Sequence, residues 1–187
     1  MGYINKIETF TPQNQINQKD FVELLKDNFL QDETSKRLAN ISGKRTGIST
    51  RHSVLDFFNP NHEIDLKKFI ELDIERKNQL FFQYSLNLID QIISKSSFDL
   101  NKITHIISIS CTGIKAPGLE IEIIKKYKLN TEITRYSINF MGCYAAIHGL
   151  KLAKEICSNH PNAKILIVDV ELCTLHFTGK NTIDDLN

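Results

Sequence analysis

The hydrophobic pattern divides the chain into two stretches of different rhythm. In the first hundred residues apolar positions recur mostly at helical spacing. Residues 3–10 are the exception, since they partly alternate apolar with polar positions and predict a strand. After Pro12, Phe21, Leu24, Leu25 and Phe29 fall on one stripe, predicting a helix around residues 20–30. Residues 32–51 turn polar, with a short helix and a loop punctuated by Gly43 and Gly47, and residues 48–55 suit a second strand. Beyond Asn59 and Pro60, Leu66, Phe69, Ile70, Ile74, Phe81, Tyr84, Leu88 and Ile92 return to helical spacing, so residues 65–94 predict one or two helices.

From Ile103 short β-rich runs alternate with helical ones: residues 103–110, 118–127, 133–140, 142–159 and 164–172. That alternation predicts an α/β fold with right-handed crossovers and a mainly parallel sheet. The apolar run at residues 165–168 suits a strand buried on both faces. With no repeat, low-complexity segment or linker in view, residues 1–187 are expected to form one domain.

Composition narrows the function classes. With 187 residues, 41% of them hydrophobic, the chain can bury a core, and a formal net charge of +1 gives no whole-chain argument for a nucleic-acid or membrane-surface partner. No stretch approaches the roughly 18–20 apolar residues of a membrane helix. The start, MGYINKIETF, has neither the apolar core of a signal peptide nor a myristoylation pattern, so a cytoplasmic location is expected. The four cysteines, Cys111, Cys143, Cys157 and Cys173, form no CxxC pair and are expected to be free thiols, with no metal site.

The chemistry concentrates in NFMGCYAAIHGLKLAKEI. Cys143 lies between a strand ending near Phe140 and a helix whose apolar face is read as Ala146, Ile147, Leu150, Ala153 and Cys157. Unpaired N–H groups and the positive end of the macrodipole at a helix start favour the thiolate, the form that attacks thioesters. Gly142 permits a tight turn, and Ala145 and Ala146 leave room beside the sulfur. The alternative is that Cys143 is an inert small hydrophobe, as free cysteines often are.

The string NFMGCYAA resembles the nucleophile turn of bacterial type III polyketide synthases, the chalcone- and stilbene-synthase-like branch of the thiolase superfamily. Two further matches follow that family's order, SCTGIKAPG at residues 110–118 and ILIVDVELCTLHF at residues 165–177, with weaker similarity around GISTRHSVL. The resemblance implies a thiolase-like fold, N-terminal half only, with a mixed, mainly parallel sheet and helices on both faces. It also implies a homodimer, and Cys143 as a catalytic cysteine acylated by a CoA thioester. Cys111, Thr112, Glu171, Cys173 and His176 match positions around the cavity for the acyl starter and growing chain. By residue type alone, Cys111 and Cys173 are ordinary buried thiols and Thr112 a turn cap. Glu171 is either an exposed strand end or a carboxylate facing a pocket.

Arg45 matches a CoA-contacting position, and a guanidinium suits phosphate because it binds it bidentately; a solvated charged loop is the alternative. Ser49 departs from the lysine of plant-type members, and Ala116 from their methionine. The implied reaction is decarboxylative condensation of malonyl-CoA onto an acyl group carried on Cys143, with acyl-CoA and malonyl-CoA as substrates and no other cofactor. The family's catalytic histidine and asparagine come from a C-terminal half, so His176 is assigned to the cavity wall, His148 to packing, and the chain alone is expected to be inactive. Two other functional readings stay open: a ketoacyl-synthase-like condensing enzyme of the same superfamily, or a truncated, non-catalytic binding or dimerising module.

Overall fold

The computed structural model describes residues 2–56 and 66–179, which fall into two compact units. One unit comprises Thr11–Asp73 with the residues from His176 onward; the other comprises the residues up to Phe10 with Ile74–Leu175.

The Thr11–Asp73 unit contains the antiparallel pair β1 (Asn14–Asn17) and β2 (Thr50–Ser53) and the helices α1 (Gln18–Asn28), α2 (Glu33–Arg45) and α3 (Leu66–Glu71). Asp32 caps α2 by accepting the Ser35 amide at 2.8 Å, supplying a partner that the first turn of a helix lacks. Gln18 ties the pair to α1: its N–H donates to the Ser49 carbonyl at 2.9 Å, and its side-chain oxygen accepts from Arg51 Nε at 2.6 Å. The Arg51 guanidinium also stacks over Phe21, 4.9 Å from the ring centre. The strand expected at residues 3–10 is not there. Those residues have no regular structure, and Tyr3, Ile4 and Ile7 are exposed. A strand needs a partner edge, and β2 takes Asn14–Asn17 as its partner instead.

The Ile74–Leu175 unit follows the predicted βαβ rhythm. It contains the long α4 (Ile74–Lys95), then β3 (His105–Ser110), α5 (Leu119–Tyr127), β4 (Thr134–Asn139), α6 (Ala145–Asn159) and β5 (Ile165–Asp169). The strands form a parallel sheet in the order β4-β3-β5, with Ser108 level with Ser137 and Val168. Strand β3 is central and buried from Ile106 to Ser110, so the strand covered on both faces is this one. The expectation had fallen on residues 165–168, but β5 lies at the sheet edge and is only half-buried.

Alternation along β3 sets the two layers. Ile107 and Ile109 face α6, where Ala145, Gly149, Leu152, Ala153 and Ile156 meet them; Ser108 faces α5 and donates to the buried Glu120 carboxylate at 2.7 Å. The packed face of α6 is thus rotated from the one read in the sequence. Ile147 is 54% and Leu150 43% exposed. The helix is apolar over more than one face, and the small residues win the sheet because they let the helix approach closely.

Candidate functional site

In a parallel sheet whose strand order reverses, the loops leaving the carboxyl ends of the strands diverge and open a crevice. Here the chain leaves β3 toward β4 on one side and returns to β5 on the other, so three loops meet beside the end of β3. They carry Cys111 and Thr112 after β3, Cys143 after β4, and Glu171 and Cys173 after β5.

Glu171 joins two of these loops. Its Oε1 accepts the Cys111 amide at 2.7 Å and its Oε2 accepts the Thr112 hydroxyl at 2.8 Å. The same hydroxyl oxygen accepts the Leu172 amide at 3.0 Å, so Thr112 is held from both sides. The Thr112 amide in turn donates to Ser110 Oγ at 3.1 Å. Glu171 is exposed after the end of β5, and each of its carboxylate oxygens accepts a hydrogen bond from the loop after β3.

The third loop joins through sulfur. The Gly142 N–H donates to Cys111 Sγ at 3.2 Å. Gly142 has φ of 74° and Phe140 φ of 59°, so two left-handed residues flank Met141 and turn the chain sharply out of β4. The left-handed conformation costs glycine nothing and costs phenylalanine, so the turn is held in place by its surroundings. Cys143 follows, exposed, with Tyr144 as the N-cap of α6. The Ala145 amide donates to the Gly142 carbonyl at 3.0 Å, and no side chain caps the helix. The expected position of Cys143 just ahead of a helix is therefore the observed one.

Cys173 begins a single 3-10 turn, Cys173–His176. Part of the residue reaches solvent, yet burial of its sulfur, then the Glu171 charge, then the Cys143 and Cys111 sulfurs, push its thiol above the usual cysteine range. A raised thiol pKa leaves less thiolate at any given pH, which disfavours Cys173 as a nucleophile. Burial, and next the charge of Glu171, also hold the Asp169 carboxyl above its usual value. Asp169 was not among the sequence candidates, because an aspartate closing a strand reads as an ordinary solvated end.

The other two candidates lie in the Thr11–Asp73 unit. Arg45 is the last residue of α2 and is exposed, and exposed His176 closes the 3-10 turn. Arg51, in β2 beyond the loop that follows Arg45, is committed to Gln18 and Phe21. The His148 ring meets Tyr144 edge-on at 5.0 Å. Sequence reasoning missed Ser110 and Phe140. A hydroxyl two residues ahead of Thr112 is a recognisable turn signal; nothing in the sequence marks a phenylalanine for a left-handed conformation.

Residues 3–186 match the family model of the chalcone and stilbene synthases, N-terminal domain. The chain belongs to this family. Among relatives, this chalcone and stilbene synthase domain is 33% identical over 171 residues to probable polyketide synthase 1 of Dictyostelium discoideum, covering 87% of the chain and 5% of that protein. It is 27% identical to the alpha-pyrone synthesis polyketide synthase-like protein of Mycobacterium tuberculosis, covering 100% of the chain and 48% of that protein. Among solved structures, the C-terminal type III polyketide synthase domain of a Dictyostelium type I/III hybrid superposes with a TM-score of 0.73 at 29% identity, covering 94% of the chain and 49% of that domain. The α/β fold is therefore the thiolase-like fold of the type III polyketide synthases, and the chain spans about half the length of the mycobacterial relative. Among the described residues, no helix is long and apolar enough to cross a membrane.

Proposed function

We propose that this domain carries the nucleophile of a type III polyketide synthase, with Cys143 accepting an acyl group from acyl-CoA. The Cys143 sulfur attacks the thioester carbonyl, a carbon–sulfur bond forms, and CoA leaves as its thiol. Malonyl-CoA then loses carbon dioxide, and the resulting enolate attacks the Cys143 thioester, returning the sulfur and lengthening the chain by two carbons. The observation that carries this reading is the placement of Cys143. It is exposed ahead of α6, on a turn fixed by the Gly142 to Cys111 hydrogen bond, where loops from three parallel strands converge.

On this reading Cys111, Thr112, Glu171, Cys173 and His176 border the acyl cavity. The hydrogen bonds of Glu171 make it a brace for that wall, holding Cys111 and Thr112 in place. Arg45, exposed at the end of α2, is assigned to the CoA phosphates, and Arg51 is excluded from that task because Gln18 and Phe21 hold it. Further parts of the reading are a bacterial type of synthase, supported by NFMGCYAA and by Ala116; a cytoplasmic homodimer; and no cofactor beyond the CoA substrates. The exposed Phe140, Tyr144, Ile147 and Leu150, around and along the start of α6, offer an apolar surface for the remaining half of such a synthase or for a second copy.

The test is product formation. The polypeptide encoded by the whole gene, incubated with a fatty acyl-CoA and malonyl-CoA, is expected to release carbon dioxide and a chain-extended product, and Cys143→Ala to abolish both. Undiminished product from Cys143→Ala contradicts the assignment.

A further inference from the structure

We propose that Asn78, on α4, is a positioning residue for the nucleophile turn, acting through the loop that carries Cys111. The proposal rests on the reading of Cys143 as the acyl acceptor. Its structural step, from Asn78 to Gly142, can be measured without it.

Asn78 grips one residue of the loop by both backbone groups. Its Oδ1 accepts the Ile114 amide at 2.8 Å, and its Nδ2 donates to the Ile114 carbonyl. A primary amide set against both polar groups of one residue reproduces the pairing that a neighbouring strand would give, and it fixes that residue in position and in orientation. Ile114 needs such an anchor. Its side chain is 52% exposed, so packing does not hold it.

The rest of the α4 stripe reinforces the grip. Phe81, one turn along, is 1% exposed and lies flat against Gly113, where an added Cβ would fall 2.0 Å from the ring. Phe82 lies under the Lys115 ammonium, 5.1 Å from its ring centre. Positions 78, 81 and 82 share one helical face, so a single surface of α4 touches Gly113, Ile114 and Lys115 in succession.

Beyond that clamp the loop runs back to Cys111, the residue that takes the Gly142 N–H on its sulfur. Cys143 is exposed and follows Gly142 directly, so the position of its sulfur follows the Gly142 turn. Releasing Ile114 leaves the backbone of residues 111–114 hydrogen-bonded only at the Glu171 end, with the Phe81 and Phe82 contacts and the Lys115–Glu122 ion pair at 2.8 Å as the remaining hold at the other, and the Cys111 sulfur is less firmly placed opposite Gly142. Reacting groups tolerate little displacement: a shift near 1 Å can cost on the order of a hundredfold in rate.

The experiment compares wild type, Asn78→Ala and Asn78→Asp in the full-length protein. Asn78→Asp is nearly isosteric; it keeps the acceptor for the Ile114 amide and loses the donor to the Ile114 carbonyl. Hydrogen exchange resolved to single amides is expected to speed at Ile114 and at Gly142 by about fivefold or more in Asn78→Ala, by less in Asn78→Asp, and not at all at Ile107 in β3. Acyl transfer to Cys143 is expected to follow the same order, with kcat falling roughly tenfold in Asn78→Ala and KM little changed. Alkylation of Cys157, at the far end of α6, serves as the control for global unfolding and stays at the wild-type rate. If Asn78→Ala does not fold, Asn78→Asp decides the matter by the same readouts. Exchange at Gly142 unchanged in a folded variant overturns the proposal. Faster exchange at Gly142 in variants that, like the wild type, show no acyl transfer leaves the positioning step standing and removes the acyltransferase reading.

Discussion

The backbone N–H of Gly142 points at the sulfur of Cys111, 3.2 Å away, and this contact ties the loop after β3 to the turn that presents Cys143. Sulfur is a weak acceptor, so the bond contributes geometry more than stability. Cys111→Ala is expected to cost no more than about 1 kcal/mol in urea unfolding while slowing acyl transfer to Cys143 severalfold. An acyl-transfer rate equal to wild type shows that the turn holds itself.

Glu171 touches the same network from the other side. Replacing it by glutamine removes a negative charge that, after burial, holds the Cys173 thiol up. The expected result for Glu171→Gln is a Cys173 pKa moved down toward the ordinary thiol value, read from the pH dependence of its alkylation by peptide mass. A Cys173 titration unmoved by this change contradicts the proximity of the two groups.

The fold resists enlargement at Gly113. Phe81 leaves no space there, since an alanine Cβ would stand 2.0 and 2.2 Å from two of its ring carbons, and the ring is itself buried. Gly113→Ala is expected to destabilise by about 1–3 kcal/mol, the range for overpacking a closed site. Phe81→Leu in the same background is expected to recover part of the loss, and denaturant midpoints of the two variants test this.

The parallel sheet and its helices were legible because the β-rich runs and helical runs differ in period, and because the runs from Ile103 onward each stand for one element. The turn that carries Cys143 was legible from a glycine and a cysteine set between a strand and a helix. What the pattern could not supply was direction. Helix α6 is apolar at Ala146, Ile147 and Leu150 as well as at Ala145, Gly149, Leu152, Ala153 and Ile156, and periodicity cannot say which of two apolar faces the sheet takes. Nor could it assign the residues 3–10, whose alternation is real but finds no partner edge. The brace made by Glu171 joins residues about sixty positions apart, a separation no local pattern encodes.

His105, at the start of β3, gives the fold a pH dependence of defined sign. Burial, and then the nearby His160 ring at 5.9 Å, hold its imidazole below the usual range. The folded state therefore binds this proton less readily than the unfolded chain, so the contribution to stability is complete above the ordinary histidine value of about 6.5 and is lost as pH falls through the depressed one. Wild type is expected to lose more of its urea midpoint than His105→Gln between about pH 7.5 and about pH 5.5. Equal losses remove His105 as the cause.

The exposed apolar residues of α6 predict how the chain behaves alone. Because Ile147 and Leu150 are 54% and 43% exposed, the double change Ile147→Ser and Leu150→Ser is expected to reduce hydrophobic-dye binding and self-association in light scattering with little loss of thermal stability. A wild-type chain that is monomeric and binds no dye contradicts the reading of this face as a docking surface.

Whether the sulfur of Cys143 receives the acyl group is decided by intact-mass measurement after brief incubation of the full-length protein with an acyl-CoA, followed by peptide mapping. The expected result is a mass gain of one acyl group, mapped to the peptide containing Cys143 and absent from Cys143→Ala. An adduct on Cys111 or Cys173 instead, or one that survives Cys143→Ala, contradicts the assignment of the nucleophile.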